Sequence, residues 1–217
     1  MKIKAISTVV IVLLALSFLF IYFIIPQLNS TAEAVITNDK EGNFIVSASQ
    51  DAYVSFSYPS KNYGSEKYAR VGCIYGDLER TFLQFDVTSS DLPSSDLKSA
   101  ELQLLFHYYS WLEEPEEIAV YAVKEKWDDG SIDWNNQPEF APEPVEEVTI
   151  NQDKKGEWIS FDITPIYKEW KSGAENFGVV LMSKNQNCTE ADKARIFFRT
   201  TEYFYPMHHP KLVVKKA

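Results

Sequence analysis

Catalytic chemistry is thinly supplied in this sequence. Its 217 residues hold three histidines and two cysteines. The histidines are His107, inside an alternating apolar stretch, and the adjacent pair His208 and His209. No His-x-x-x-His spacing offers a zinc site, and no serine or cysteine stands in a nucleophile-elbow context. Basic charge is also short: 21 Lys and Arg face 31 Asp and Glu, a formal −10 at pH 7. That field repels nucleic acid and polyanions unless a local patch or bound cation reverses it, so no nucleic-acid partner is expected. A repeat of fixed period is lacking too, as is any low-complexity tract. Acidic residues are numerous enough for a glycosidase pair by count alone. Most of them fall in solvated loops such as "EEPEE", and a non-enzyme without a cofactor is expected.

Charge is missing altogether from Ala5–Ile25, a run dominated by Leu, Ile, Val and Phe. It is long enough to cross a membrane as a helix, and Pro26 stops it. Lys2 and Lys4 precede it, which keeps the N-terminus cytoplasmic and exports the rest. The run exceeds a signal-peptide core of about 7–15 residues, which favours an uncleaved anchor. The small-x-small triplet Ala32-Glu33-Ala34 keeps cleavage and secretion open as the alternative. The organisation read from this is an anchor or signal peptide over 1–26, a polar stalk over 27–48 and a domain over 49–217. All the acidic residues lie beyond the anchor, so the exported part is two charges more negative than the whole chain. In an exported domain Cys73 and Cys188 are permitted to pair, but two separate buried thiols fit equally well. Asn29 and Asn187 open glycosylation sequons, which matter only in a host with the machinery.

From Asp51 onward the pattern is one of short strands broken by Gly, Pro, Asn and Asp. In "TFLQFDV", Leu83, Phe85 and Val87 share a face. In "ELQLLFHYY", Leu102, Leu104, Phe106 and Tyr108 alternate with Glu101, Gln103 and His107. "IAVYAV" and "FGVVLM" are apolar on both faces, and "WISFDI", "RIFFRT" and "KLVVKK" complete the set. One helix is expected, with Thr164 as N-cap, Pro165 at its first position and Gly173 ending it. Many short strands with one or two short helices indicate an all-β sandwich of jelly-roll type.

Six of these motifs occur in a recognisable order: "DAYVSFSYPSKNYGSEKYARVG", "RTFLQFDV", "AELQLLF", "VYAVKEKWDDGSIDWNNQP", "WISFDITPIYKEWKSGAENFGVVL" and "HPKLVV". The succession, from Asp51 to Val214, resembles the DNRLRE (disaggregatase-related) domain, which overlaps carbohydrate-binding module family 96. The resemblance implies a non-catalytic β-sandwich on cell-surface or polysaccharide-degrading proteins, some of which bind alginate. The partner implied is an extracellular polysaccharide, with a cell-surface protein as the alternative.

The stretch "WDDGSIDWNNQP", Trp127 to Pro138, has the composition of a site but reads as architecture. Asp128, Asp129 and Gly130 are turn residues, Ile132 and Trp134 alternate like a short strand, and Asn135, Asn136 and Pro138 break it. The Asp spacing does not match an EF-hand, although a structural calcium stays open. Sugar recognition requires flat aromatic faces flanked by hydrogen-bonding groups. The candidates are Tyr109 and Trp111 beyond a strand end, and Tyr203 and Tyr205 in "TEYFYPMHH". Arg70, Arg80 and Arg199 come from strand-like stretches and could project from one face. For the topology the expected outcome is direct: protease added to intact cells shaves the domain, and protection of the whole chain overturns the single-span arrangement.

Overall fold

The structure is a computed structural model that describes residues 36–217. The expected anchor, the start of the stalk and Asn29 lie outside the described residues. Among the described residues no helix is long and apolar enough to cross a membrane. Eleven strands follow one another: β1 (Ile36–Asn38), β2 (Phe44–Ser55), β3 (Tyr68–Ile74), β4 (Asp77–Phe85), β5 (Leu97–Ser110), β6 (Glu116–Ala122), β7 (Glu146–Ile150), β8 (Trp158–Asp162), β9 (Val179–Ser183), β10 (Lys193–Arg199) and β11 (Lys211–Lys216). One helix, α1 (Thr164–Lys171), lies between β8 and β9. β1 and the start of β2 fall inside the segment expected to be a stalk, so the sheet reaches back beyond residue 49.

All the pairings are antiparallel, and two long strands change partner along their length. β2 pairs with β11 through Phe44–Ser47 and with β4 through Ala48–Ser55. β5 pairs with β11 and β8 through its first half and with β10 from Phe106 to Ser110. The pairs close into a circuit, β2–β11–β5–β10–β3–β4 and back to β2. β9, β6 and β7 extend outward from β4. Strands that switch layers in this way make the corners of a β-sandwich, the class expected.

The period-2 patterns place the main core. Leu102, Leu104, Phe106, Phe161, Ile196 and Phe198 meet Leu83, Phe85, Ile118, Val120, Val179 and Leu181, all buried. Helix α1 covers this core with Ile166, Tyr167 and Trp170. Its cap is not the residue expected. Ile163 is the N-cap, because its carbonyl accepts the first helical bond, from the Tyr167 N–H. The Thr164 hydroxyl instead accepts the Ala100 N–H at 2.9 Å and ties the helix to β5. Cys73 and Cys188 are joined in a disulfide, with Cα atoms 5.6 Å apart. Asn187 is exposed in the loop beside it.

A second, smaller core lies on the other face of β2, β4 and β9, where Ala52, Val54, Phe82, Val180 and Met182 are buried. The segment Trp127–Pro138 covers it. Trp127 packs against Phe82, and its indole N–H donates to the Phe177 carbonyl at 2.8 Å. Ile132 is buried, and Trp134 lies under the Arg80 guanidinium. The stretch is a series of turns, not the short strand expected at Ile132–Trp134. Asp133 Oδ1 accepts the N–H groups of Asn135 and Asn136, and Asn136 Oδ1 accepts that of Asp133. Asn62 donates to the carbonyls of both Asp129 and Ile132 at 2.7 Å. At Gly64, close by, a Cβ would collide with the Asp129 carbonyl, so only glycine lets the two loops meet. The aspartates and asparagines therefore hold backbone. On this packing Trp127→Ala costs about 3–5 kcal/mol in denaturant unfolding. Trp127→Phe, which loses the N–H bond and part of the ring's packing, costs about 1–3 kcal/mol. Full stability in both variants would remove the structural role.

Candidate functional site

Antiparallel partners point their side chains to the same side of a sheet. Register therefore sets Tyr68 beside Arg199, Arg70 beside Phe197, and Tyr108 beside Phe197, all on the face opposite the main core. A β-bulge sharpens the arrangement. Pairing shifts between Phe197↔Tyr108 and Phe198↔Phe106, leaving His107 as the extra residue. His107 and Tyr108 consequently share the outer face, and it is Tyr109 that returns to the core side. Strict alternation had put Tyr108 with Phe106, and the bulge is why that fails. The Tyr109 ring packs against the main core and its hydroxyl donates to Gln152 at 2.9 Å, away from the other sugar candidates.

The outer face is built of stacked rings and cations. Tyr108 and Phe197 stack with centroids 3.9 Å apart, and Tyr68 stacks on His107 at 4.5 Å. The Arg70 guanidinium lies 4.9 Å from the Tyr53 ring and 5.4 Å from that of Phe197. Arg199 sits 4.2 Å over Tyr203, whose ring neighbours Tyr205 and His208. Under the face lies an acid. Glu79 is fully buried and accepts from Arg195 Nε at 2.5 Å and Arg70 Nη1 at 3.4 Å. Arg195 also reaches Asp77 at 3.4 Å. Burial pushes the Glu79 carboxyl up to about 7; Arg195 pulls against that shift, Asp77 adds to it, and Arg70 opposes it.

Arg199 differs from these two. Among the described residues it has no acidic partner, and its nitrogens face His208 Nδ1 at 2.5 Å and His107 Nδ1 at 3.3–3.4 Å. Burial, and then the Arg199 charge, hold both imidazoles below the usual histidine value. Neutral rings accept from the guanidinium and leave its charge uncompensated. Flat aromatic surface beside an unpaired cation suits a ligand with C–H faces and anionic or hydroxyl groups.

The structure separates the other expected residues. Arg70 and Arg199 share this face, but Arg80 does not. Arg80 projects to the smaller core, 4.6 Å from the Trp134 ring, and donates to Gln137 and Gln186. Trp111 is half-exposed in a loop after β5 and meets Tyr75 edge-on at 5.6 Å, with Lys193 over the Tyr75 ring. Arg195 was missed, although the alternation of Arg195, Phe197 and Arg199 in "RIFFR" carries the signal for one face. No group of three or more His, Cys, Asp or Glu among the described residues is placed to hold a metal ion.

The family model for carbohydrate-binding module family 96 matches residues 43–215. The chain belongs to that family. Residue 43 immediately precedes β2, so this family 96 domain begins where the described sheet does its first long-range pairing. The chain is also 24% identical over 148 residues to the tRNA3(Ser)-specific nuclease WapA of Bacillus spizizenii and to the tRNA nuclease WapA of Bacillus subtilis. These alignments take in 63% of this chain and 6% of each relative, so the chain spans a small fraction of the length of either.

A buried acid beside the face makes stability pH-dependent. Asp51 is 1% exposed; its Oδ2 accepts the Thr201 N–H at 2.8 Å and its Oδ1 has no partner. Burial pushes its carboxyl from 3.8 up to about 7, against the opposing Thr201 bond. A carboxyl that binds its proton more tightly when folded contributes stability that is complete below about 4 and lost as pH rises through about 7. Asp51→Asn keeps a carbonyl for Thr201 and stays neutral. Its stability relative to the unsubstituted protein therefore rises between pH 4 and 8 by a few kcal/mol, at about 1.4 kcal/mol per unit of separation. A difference that stays flat over that range in denaturant melts overturns the assignment.

Proposed function

We propose that this protein is a non-catalytic carbohydrate-binding module, a jelly-roll-like sandwich held at the outside of the cell membrane by its N-terminal segment. The ligand is an extracellular polysaccharide, bound on the outer face of β3, β10 and the end of β5. Family membership supports the ligand class. The observation that carries the location is Arg199, an unpaired cation set between Tyr203, His107 and His208. Because Arg70 and Arg195 are engaged by Glu79 and Asp77, Arg199 is the one arginine of the face that no carboxylate compensates among the described residues. An acidic sugar polymer fits this local charge better than a neutral one. The chain's formal −10 works against it. Long-range repulsion is screened over about 8 Å at physiological salt, so the local cation decides.

Exposed Phe204, Tyr205 and Met207, beyond β10, favour a second reading in which this end contacts a protein of the cell surface or of a filament. Titration of alginate and of a neutral β-glucan at low and high salt separates the possibilities. Alginate is expected to bind and to weaken as salt rises, and Arg199→Ala to lower its affinity about tenfold or more. Arg80→Ala, on the other face, leaves it unchanged. Salt-independent binding of the glucan that survives Arg199→Ala overturns the acidic-sugar assignment, and no binding of either favours the protein contact.

A further inference from the structure

We infer that the ligand face grips an extended polymer along β10 through exposed rings at both ends of that strand, and is not a pocket for a chain terminus or a short sugar; this rests on the carbohydrate reading above. Lys193, Arg195, Phe197 and Arg199 alternate onto one face of β10, as their register with β3 requires. At about 3.3 Å per residue they span about 20 Å.

The rings along that line are not equally accessible. Phe197, near the middle, is 4% exposed, lying under Tyr108 and between the Arg70 and Arg195 guanidiniums. Tyr205, beyond the Arg199 end, is 56% exposed. Beyond the other end, where Lys193 covers the Tyr75 ring, Tyr75 and Trp111 are 44% and 49% exposed. Stacking surface is therefore offered at the two extremes, with the ion-paired arginines between them. The hollow beside Trp111 also holds Glu113, Glu114, Glu116 and Asp192, so that end takes the C–H face and hydroxyls of a sugar and not its carboxylate. A ligand that touches one extreme only uses half of what the face presents.

The Lys193 end is also held in a conformation that side chains disfavour. Tyr75 and Trp111 have φ values of 50° and 52°, the two non-glycine residues of positive φ among the described residues. Left-handed backbone at a non-glycine residue costs about 1–3 kcal/mol and persists where surrounding structure fixes it. Here the Tyr75 N–H donates to the Asp192 carbonyl at 2.9 Å, the Gly76 N–H donates to that of Thr189 at 2.9 Å, and the Cys73–Cys188 disulfide binds the same two segments. The two rings meet edge-on at 5.6 Å, so the fixed backbone presents a pair. Two modest stacking sites joined by one ligand bind far more tightly than either alone, provided the ligand reaches both.

Calorimetric titration with alginate fractions of about three and about ten residues tests this. The longer fraction is expected to bind at least tenfold more tightly per chain. Trp111→Ala and Tyr205→Ala, at opposite ends and both exposed, should each lower the affinity of the long fraction about tenfold. Each should bring the long fraction close to the affinity of the short one. Equal binding of the two lengths, or a Trp111→Ala protein that holds the long fraction normally, overturns the two-ended grip while leaving the carbohydrate reading intact. Binding of neither fraction, with neutral β-glucan fractions also inert, sinks both.

Discussion

A carboxylate with no access to water must be neutralised or paired, and Glu79 imposes that condition on three strands at once. It is carried by β4, grasped by Arg195 of β10 and approached by Arg70 of β3. Removing one partner from a buried ion pair leaves an uncompensated charge, so the three strands are bound to one register. That register gives the outer face its order. Phe197 can lie under Tyr108 and beside Arg70 because the arginines are drawn down toward the acid and do not stand out into solvent. Asp77 shares the load by accepting from Arg195 and from the Ser55 hydroxyl of β2. A polar cluster thus fastens the place where β2, β3, β4 and β10 meet.

The consequence for recognition is a division of labour among arginines. Composition alone describes an acidic protein, and a field averaged over the molecule would turn a polyanion away. Locally, two of the three arginines on the face are compensated from beneath and one is not. Arg199 is left with partners that carry no charge while their imidazoles remain neutral. Specificity at such a face depends on where one uncompensated charge sits relative to the rings, and the net balance of the chain is a poor guide to it.

Much of the fold was legible because strands write their burial in period 2. "TFLQFDV" placed Leu83, Phe85 and Val87 inward correctly, because the irregularity in its pairing adds the extra residue, Ser49, to β2 and leaves the alternation of β4 intact. "ELQLLFHYY" was read correctly as far as Phe106 and then failed at the bulge, which depends on the partner strand and leaves no mark in β5 itself. Thr164 was misassigned for a similar reason: its hydroxyl had a tertiary partner, the Ala100 N–H, that local capping rules do not consider. Arg70 and Arg199 share a face as expected and Arg80 does not, because strand positions define a face only after the sheet's own two sides are known. The corner at Trp127 was readable in advance because turn chemistry is local.

The closed circuit of pairing has one more result. A sheet that ends in open strands invites neighbouring chains to add to it, and natural proteins keep such edges short or charged. Among the described residues the strands with only one paired neighbour are β1, of three residues, and β7 and β8, of five each. β7 begins with Glu146 and Glu147, which further discourages a docking strand. Edges this short give a neighbouring copy little backbone to pair with, so side chains carry most of what the described domain can present to a partner.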